Sequence, residues 1–127
     1  MPLIVAANGN RTLALAARLG DSWVTTGVAS DDLAGWWAGV GELSHRYDDA
    51  LTAAGRDARL ARRYLSLDAS GVHALSSADC FADAVGRAGE LGFTDVVTHW
   101  PRSDGPYAGR ESVLETAAAT YLPDRAR

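Results

Sequence analysis

Three short stretches of this chain hold residues able to do chemistry. Asn8-Gly9-Asn10-Arg11 follows an apolar run, Leu3 to Ala7, and leads straight into a helical pattern. A strand-to-helix loop of this kind brings free backbone N–H groups, a helix N-terminus and a guanidinium together, which suits a phosphate or other anion. An ordinary turn with an asparagine N-cap is the competing reading of the same residues. A hairpin is excluded, because the segment that follows is helical and the next strand must run parallel. Thr25-Thr26-Gly27 closes a β-branched run with two hydroxyls and a flexible backbone, and His99-Trp100 ends another run just before Pro101 and Arg102. Both stand at the C-terminal ends of expected strands, where α/β folds put their sites. His99 is the best candidate for a catalytic acid or base, against the plainer reading of a buried, hydrogen-bonded histidine.

Other chemistries are excluded by what the spacing lacks. Starting from Gly9, the dinucleotide fingerprint G-x-G-x-x-G meets Arg11 and Ala14 at its second and third glycine positions. The 12 basic residues are all arginine, so a Walker-type phosphate loop has no lysine to reach the phosphates. There is no G-x-S-x-G nucleophile elbow and no pair of histidines at helical metal spacing, so no metal site is expected. His45 falls in the polar part of a helix and reads as solvated, whereas His73 lies in a loop with no predictable partner. Cys80 is the single cysteine; it reads as a small buried hydrophobe near a helix start. Trp36 and Trp37 are adjacent, so about 100° separates them around a helix and one is expected to miss the core. That one would meet substrate, another subunit or a missing part of the protein.

The elements that must position these residues follow from hydrophobic period. Leu3 to Ala7 is apolar on both faces and predicts a fully buried parallel strand. Arg11 to Leu19 carries Leu13, Ala16 and Ala17 at helical spacing, with Gly20 at the C′ position. Trp23 to Thr26 is a second strand, and Asp31 or Asp32 caps a long helix that runs to Ala54 and stops at Gly55. Its apolar face runs through Leu33, Trp36 or Trp37, Val40, Leu43, Tyr47 and Leu51. Arg63 to Leu67 is a third strand, followed by a loop from Asp68 to Leu75. Ser76 and Asp79 have the spacing of a capping box for a helix through Phe81, Ala84, Val85, Ala88 and Leu91, closed by Gly92. A fourth strand, Phe93 to Trp100, stops at Pro101. A loop, Arg102 to Gly109, then leads to a last helix from Arg110 to Leu122, which Pro123 ends before a frayed tail, Asp124 to Arg127. The alternation β-α-β-α-β-α-β-α predicts a parallel sheet with right-handed crossovers. It fits a small open sheet or half of an eight-unit barrel equally well.

Composition bounds the remainder. The chain has 127 residues, 47% of them hydrophobic, 22% charged, with a net charge of −4. That is one soluble domain with one modest core. Scattered arginines and an acidic balance argue against nucleic acid. No apolar stretch approaches the ~20 residues of a membrane span, and no secretory signal opens the chain. A cytoplasmic protein that does not enter a membrane is expected.

The run PLIVAANGNRTLALAARLGDSWVTTG resembles the C-terminal half of the luciferase-like monooxygenase family, flavin- or F420-dependent oxidoreductases with a TIM-barrel fold. The family's fifth strand ends in a glycine-containing loop, followed by Arg, a Leu-Ala-Ala-rich helix and Asp-Gly-Trp. The counterparts here are Gly9, Arg11, Leu15-Ala16-Ala17-Arg18 and Asp21-Ser22-Trp23, with Ser22 in place of the glycine. ALTAAGRDARLARRYLSLD resembles the family's next helix, Ala-Gly-Arg-Asp turn and seventh strand. ELGFTDVVTHWPRSDGPYAG is similar to the eighth strand and exit loop of F420-type members. The resemblance spans almost the whole chain, residues 1–127, and implies a single half-barrel region: four parallel β/α units, five to eight of a (β/α)8 barrel. It implies FMN or F420 as cofactor, with Ala7, Asn8, Gly9, Asn10 and Arg11 against the phosphate and tail and Thr25, Thr26 and Gly27 beside them. His99 would serve as the catalytic candidate, with Trp100 and Arg102 on the side of a small-molecule substrate. Units one to four are missing, so a second copy, as in a homo-oligomer, or an N-terminal half-barrel is expected as partner. The isolated chain is not expected to turn over. The alternatives are a non-catalytic, self-associating half-barrel, a module binding a phosphate-bearing ligand, and another phosphate-binding barrel enzyme such as an isomerase.

Overall fold

The computed structural model describes residues 1–122; the expected stop at Pro123 and the tail beyond it lie outside the described residues. Strands and helices alternate: β1 (Ile4–Ala6), α1 (Asn10–Leu19), β2 (Ser22–Thr25), α2 (Leu33–Ala53), β3 (Arg62–Ser66), α3 (Ala78–Glu90), β4 (Asp95–Val97) and α4 (Glu111–Tyr121). Short 3-10 turns at Ala58–Leu60, Leu67–Ser70 and Ala74–Ser76 fill the connections around β3. The sheet is parallel throughout and its order, β1-β2-β3-β4, follows the chain.

That order narrows the architecture. A doubly wound sheet reverses its strand order at a switch point, and this one does not. With connections of the usual right hand, an unreversed order sends every helix to the same face. Burial agrees. Trp23 and Leu65 are buried among the helices, and Val5 and Val96 pack against that core. The alternate residues, through the register Ala6–Val24–Tyr64–Asp95, form a face that no helix among the described residues covers. Such a singly wound, four-stranded α/β sheet is consistent with half of a β/α barrel.

The helix-covered face carries the core. Trp23 is fully buried, its ring 4.5 Å from Tyr47 and 5.6 Å from Phe93. Around it pack Leu13, Ala16, Val40, Leu43 and Leu51. Fully burying one such side chain stabilises by about 1.5–3 kcal/mol. Arg56 joins two units, donating to the carbonyls of Ala17 and Gly20, both at 2.7 Å, where α1 ends. At the N-terminal ends of β3 and β4, Arg63 is buried and ion-paired to Asp48, and donates to Ser44 and Ala58. A cavity of about 460 Å³ opens beside it, at the N-terminal end of the sheet.

Several sequence expectations need correction. The first strand is not fully buried: Ile4 is 46% exposed and Ala6 is exposed too, because their face of the sheet is uncovered, and Leu3, just before the edge strand, is 54% exposed. Trp36 and Trp37 are both buried, their rings edge to face at 4.9 Å. Trp36 turns toward the loop after β2, and Trp37 packs beside Leu67 and Ala84. The cap of α3 is Ser77, whose hydroxyl accepts from the Cys80 N–H at 3.0 Å; Ser76 closes the preceding 3-10 turn. Cys80 is only partly buried. The fourth strand is shorter than expected because Thr98 and His99 leave the ladder to donate to Asp68. Asp32 caps α2 as expected, accepting from Gly35 N–H at 2.6 Å.

Candidate functional site

The first loop is built around Asn8. Its Oδ1 accepts from the Thr25 hydroxyl at 2.5 Å and the Thr26 N–H at 3.3 Å, and its Nδ2 donates to the Thr26 hydroxyl at 2.9 Å. The Thr25 hydroxyl in turn accepts from the Gly27 N–H at 3.0 Å. Asn8 therefore clamps the C-terminal end of β1 to that of β2. It is not the N-cap of α1; that position belongs to Gly9. The Thr12 hydroxyl accepts from the Gly9 N–H at 3.2 Å and donates to the Gly9 carbonyl at 3.0 Å. This leaves the Asn10, Arg11 and Thr12 N–H groups at a helix start without intrahelical acceptors. No acidic residue stands in that turn, and Arg11 is exposed. A cavity of about 200 Å³ opens here, lined by Ala6, Ala7, Asn8, Thr12, Val24, Thr25 and Thr26.

Gly27 closes the far side of this loop. Its φ of 84° lies in the left-handed region, and an added Cβ would stand 2.6 Å from Nε1 of Trp36. The indole N–H donates to the Thr26 carbonyl at 3.3 Å. Glycine is needed twice over here, for the backbone angle and for the approach of the ring.

The second cluster lies at the C-terminal ends of β3 and β4. Asp68 lies in the 3-10 turn that follows β3, and its carboxylate is fully enclosed. One oxygen accepts from the Ala74 N–H at 2.7 Å. The other accepts from the Thr98 hydroxyl at 2.8 Å, the His99 N–H at 2.6 Å and His99 Nδ1 at 2.9 Å. Burial alone would raise the pKa of Asp68, but the donors from Ala74, His99 and Thr98 outweigh it and hold the carboxyl below its ordinary value. An ionised carboxylate only accepts, so the proton of the shared bond sits on Nδ1. The His99 ring stacks on Tyr107 at 3.9 Å with 5° between planes, and its side chain is 46% exposed. His73 is buried behind it, its ring nitrogens 3.0 Å from the His99 carbonyl and 3.2 Å from that of Ala108.

The expected residues thus divide. Ala7, Asn8, Thr25 and Thr26 line one cavity; Gly9, Asn10, Arg11 and Gly27 adjoin them in the chain but do not line it. His99 belongs to the Asp68 cluster instead. It is hydrogen-bonded, as the plainer reading expects, but half exposed rather than buried. Trp100 is 58% exposed, and Arg102 contributes backbone: its N–H donates to the Tyr107 carbonyl at 2.8 Å, closing the exit loop. No described hydrogen bond joins the two clusters, which share one end of the sheet. Asp68, Thr98, Tyr107 and His73 escape sequence reasoning. The one available signal is a carboxylate placed immediately after an apolar strand. Among the described residues, no group of three or more His, Cys, Asp or Glu is placed to hold a metal ion, and no helix is long and apolar enough to cross a membrane. No protein-family model and no curated protein sequence matches this chain.

Proposed function

We propose that this chain supplies four β/α units, the C-terminal half of the barrel, to a luciferase-like flavin- or F420-dependent oxidoreductase. Its Asn8–Arg11 loop holds the phosphate or tail of the cofactor. The observation that carries this reading is the cavity where β1 and β2 end and α1 begins. About 200 Å³ is small for a whole ligand, since complete pockets run ~300–1,000 Å³. It is large enough for a phosphate or a tail end. The donor set fits an anion: N–H groups at a helix start with no acidic neighbour, and the exposed guanidinium of Arg11.

Bound there, a reduced flavin or deazaflavin would supply a hydride or, for a flavin, activate oxygen. The chain's own part is to bind and orient. Arg11 and the first turn of α1 meet the negative charge. Asn8 keeps the two strand ends in register, so the loop needs no rearrangement when a ligand arrives. Trp36 packs on Gly27 and donates to the Thr26 carbonyl, which fixes the turn that carries Thr25 and Thr26. The open sheet face and the two edge strands call for a second half-barrel, provided by four further units or by a second copy, to complete the pocket. The identity of the substrate rests with that complete pocket.

Titration of the chain with FMN and with F420, followed by fluorescence, tests this. Binding of either, weakened about tenfold by Arg11→Gln, is the expected result. Failure of both to bind, together with self-association, would favour a non-catalytic half-barrel. Saturable binding of inorganic phosphate without either cofactor would favour a phosphate-ligand module.

A further inference from the structure

We infer that Asp68 is a positioning residue that presents His99 as a proton acceptor at Nε2. The ligand it serves brings a hydroxyl or another acidic proton to the C-terminal ends of β3 and β4. The inference does not rest on the cofactor assigned above, because nothing in the pair depends on it.

The argument starts from a cost. A half-exposed histidine ordinarily keeps its rotamer freedom, and fixing it requires a compensating contact. Here the ring is fixed twice, by the 2.9 Å bond from Nδ1 to the Asp68 carboxylate and by the parallel stack on Tyr107. A loop clasp would need neither. The Ala74 and His99 N–H groups and the Thr98 hydroxyl already satisfy a clasp at the same carboxylate. The added bond does one thing the clasp does not: it holds the proton on Nδ1. Nε2 then carries the lone pair, and among the described residues nothing hydrogen-bonds to it.

The surroundings keep that arrangement in place. Asp68 faces the ring from the end of β3, and Tyr107 covers one face from the exit loop. His73 approaches from the 3-10 turn before α3. It touches the carbonyls of His99 and Ala108, and its Nε2 lies 3.8 Å from the same Asp68 oxygen. It grips the loop on both sides of the ring without contacting the ring nitrogens. In use, a ligand O–H proton passes to Nε2 and leaves the electron pair on the ligand oxygen. His99 becomes imidazolium and donates from both nitrogens, while Asp68 stays ionised and offsets the new charge.

Long-range ¹H–¹⁵N spectra of the labelled full-length chain at about pH 8.5, two units above the usual histidine value, read the tautomer directly. His99→Gln identifies the ring's signals. The expected result is Nδ1 protonated and Nε2 bare in the wild type and in Thr98→Val, which removes a clasp bond but leaves the pair. Asp68→Ala leaves Nδ1 without an acceptor and is expected to move the proton to Nε2; Asn would not serve, because its carbonyl oxygen could still take the three donors at that position. Asp68→Ala should also slow carbethoxylation of His99 by diethyl pyrocarbonate about tenfold, with the exposed His45 unchanged as internal control. A wild-type His99 protonated at Nε2, or an Asp68→Ala variant that keeps Nδ1–H and full reactivity, would overturn the inference. If Asp68→Ala fails to fold, the wild-type and Thr98→Val spectra still decide it.

Discussion

Asp68 gives the sharpest prediction at the scale of single residues. Its folded-state pKa lies below the ordinary carboxylate value, so the carboxylate stabilises the fold fully above about pH 4, the unfolded Asp value. That contribution is lost as pH falls through the folded value. Urea midpoints at pH 6 and pH 3 are expected to differ by less in Asp68→Asn than in the wild type. At pH 6 the variant should lose about 1.5–3 kcal/mol, the range for hydrogen bonds to charged groups. Gly27→Ala is expected to cost about 1–3 kcal/mol, because both the left-handed angle and the Trp36 ring resist a methyl group. Thermal unfolding measures it. Residues whose role is local were legible in the sequence: Asp32 as a cap, and Gly55 as a helix stop at φ 73°. Asp68 was not, because all four of its donors come from residues 74, 98 and 99. No local pattern announces a bond that spans about thirty positions of chain.

Elements meet through helix ends and small residues. Arg56 holds the last carbonyls of α1 from beyond the end of α2, so Arg56→Met is expected to cost about 1–2 kcal/mol and to loosen α1 against β2. Amide exchange in α1 would report it. Two glycine substitutions make an opposed pair. Gly86 lies on the exposed side of α3, where an added Cβ meets nothing within 4 Å. Gly86→Ala should stabilise by about 0.5–1 kcal/mol through helix propensity. Gly39 lies in α2 against Val28, where the same methyl group would collide with the valine side chain. There the propensity gain is outweighed and Gly39→Ala should destabilise, by chemical denaturation, by about 1–3 kcal/mol. Element types and order were readable because helical and strand periods differ and glycines punctuate them. Strand lengths were not. Apolar residues continue past the ends of β1 and β4, but the ladder stops where Asn8, Thr98 and His99 are recruited to side-chain partners.

At the scale of the molecule the open sheet face decides behaviour. Ile4 on β1 and Val97 on β4 are 46% and 42% exposed, on opposite edges of the same uncovered surface. Parallel edges with apolar residues invite pairing. The expected result is a dimer or larger species by light scattering, shifted towards monomer by Ile4→Lys. A clean monomer that binds no apolar dye would refute it. The sequence alone left a small open sheet and a half-barrel equally possible, since strand order is a property of pairing rather than of period. That same order has a consequence in time. Every hydrogen-bonded strand pair joins neighbours along the chain, so each new β/α unit finds its partner strand already made. During synthesis each strand after β1 can pair with one already made, so the sheet can grow without waiting for any later strand.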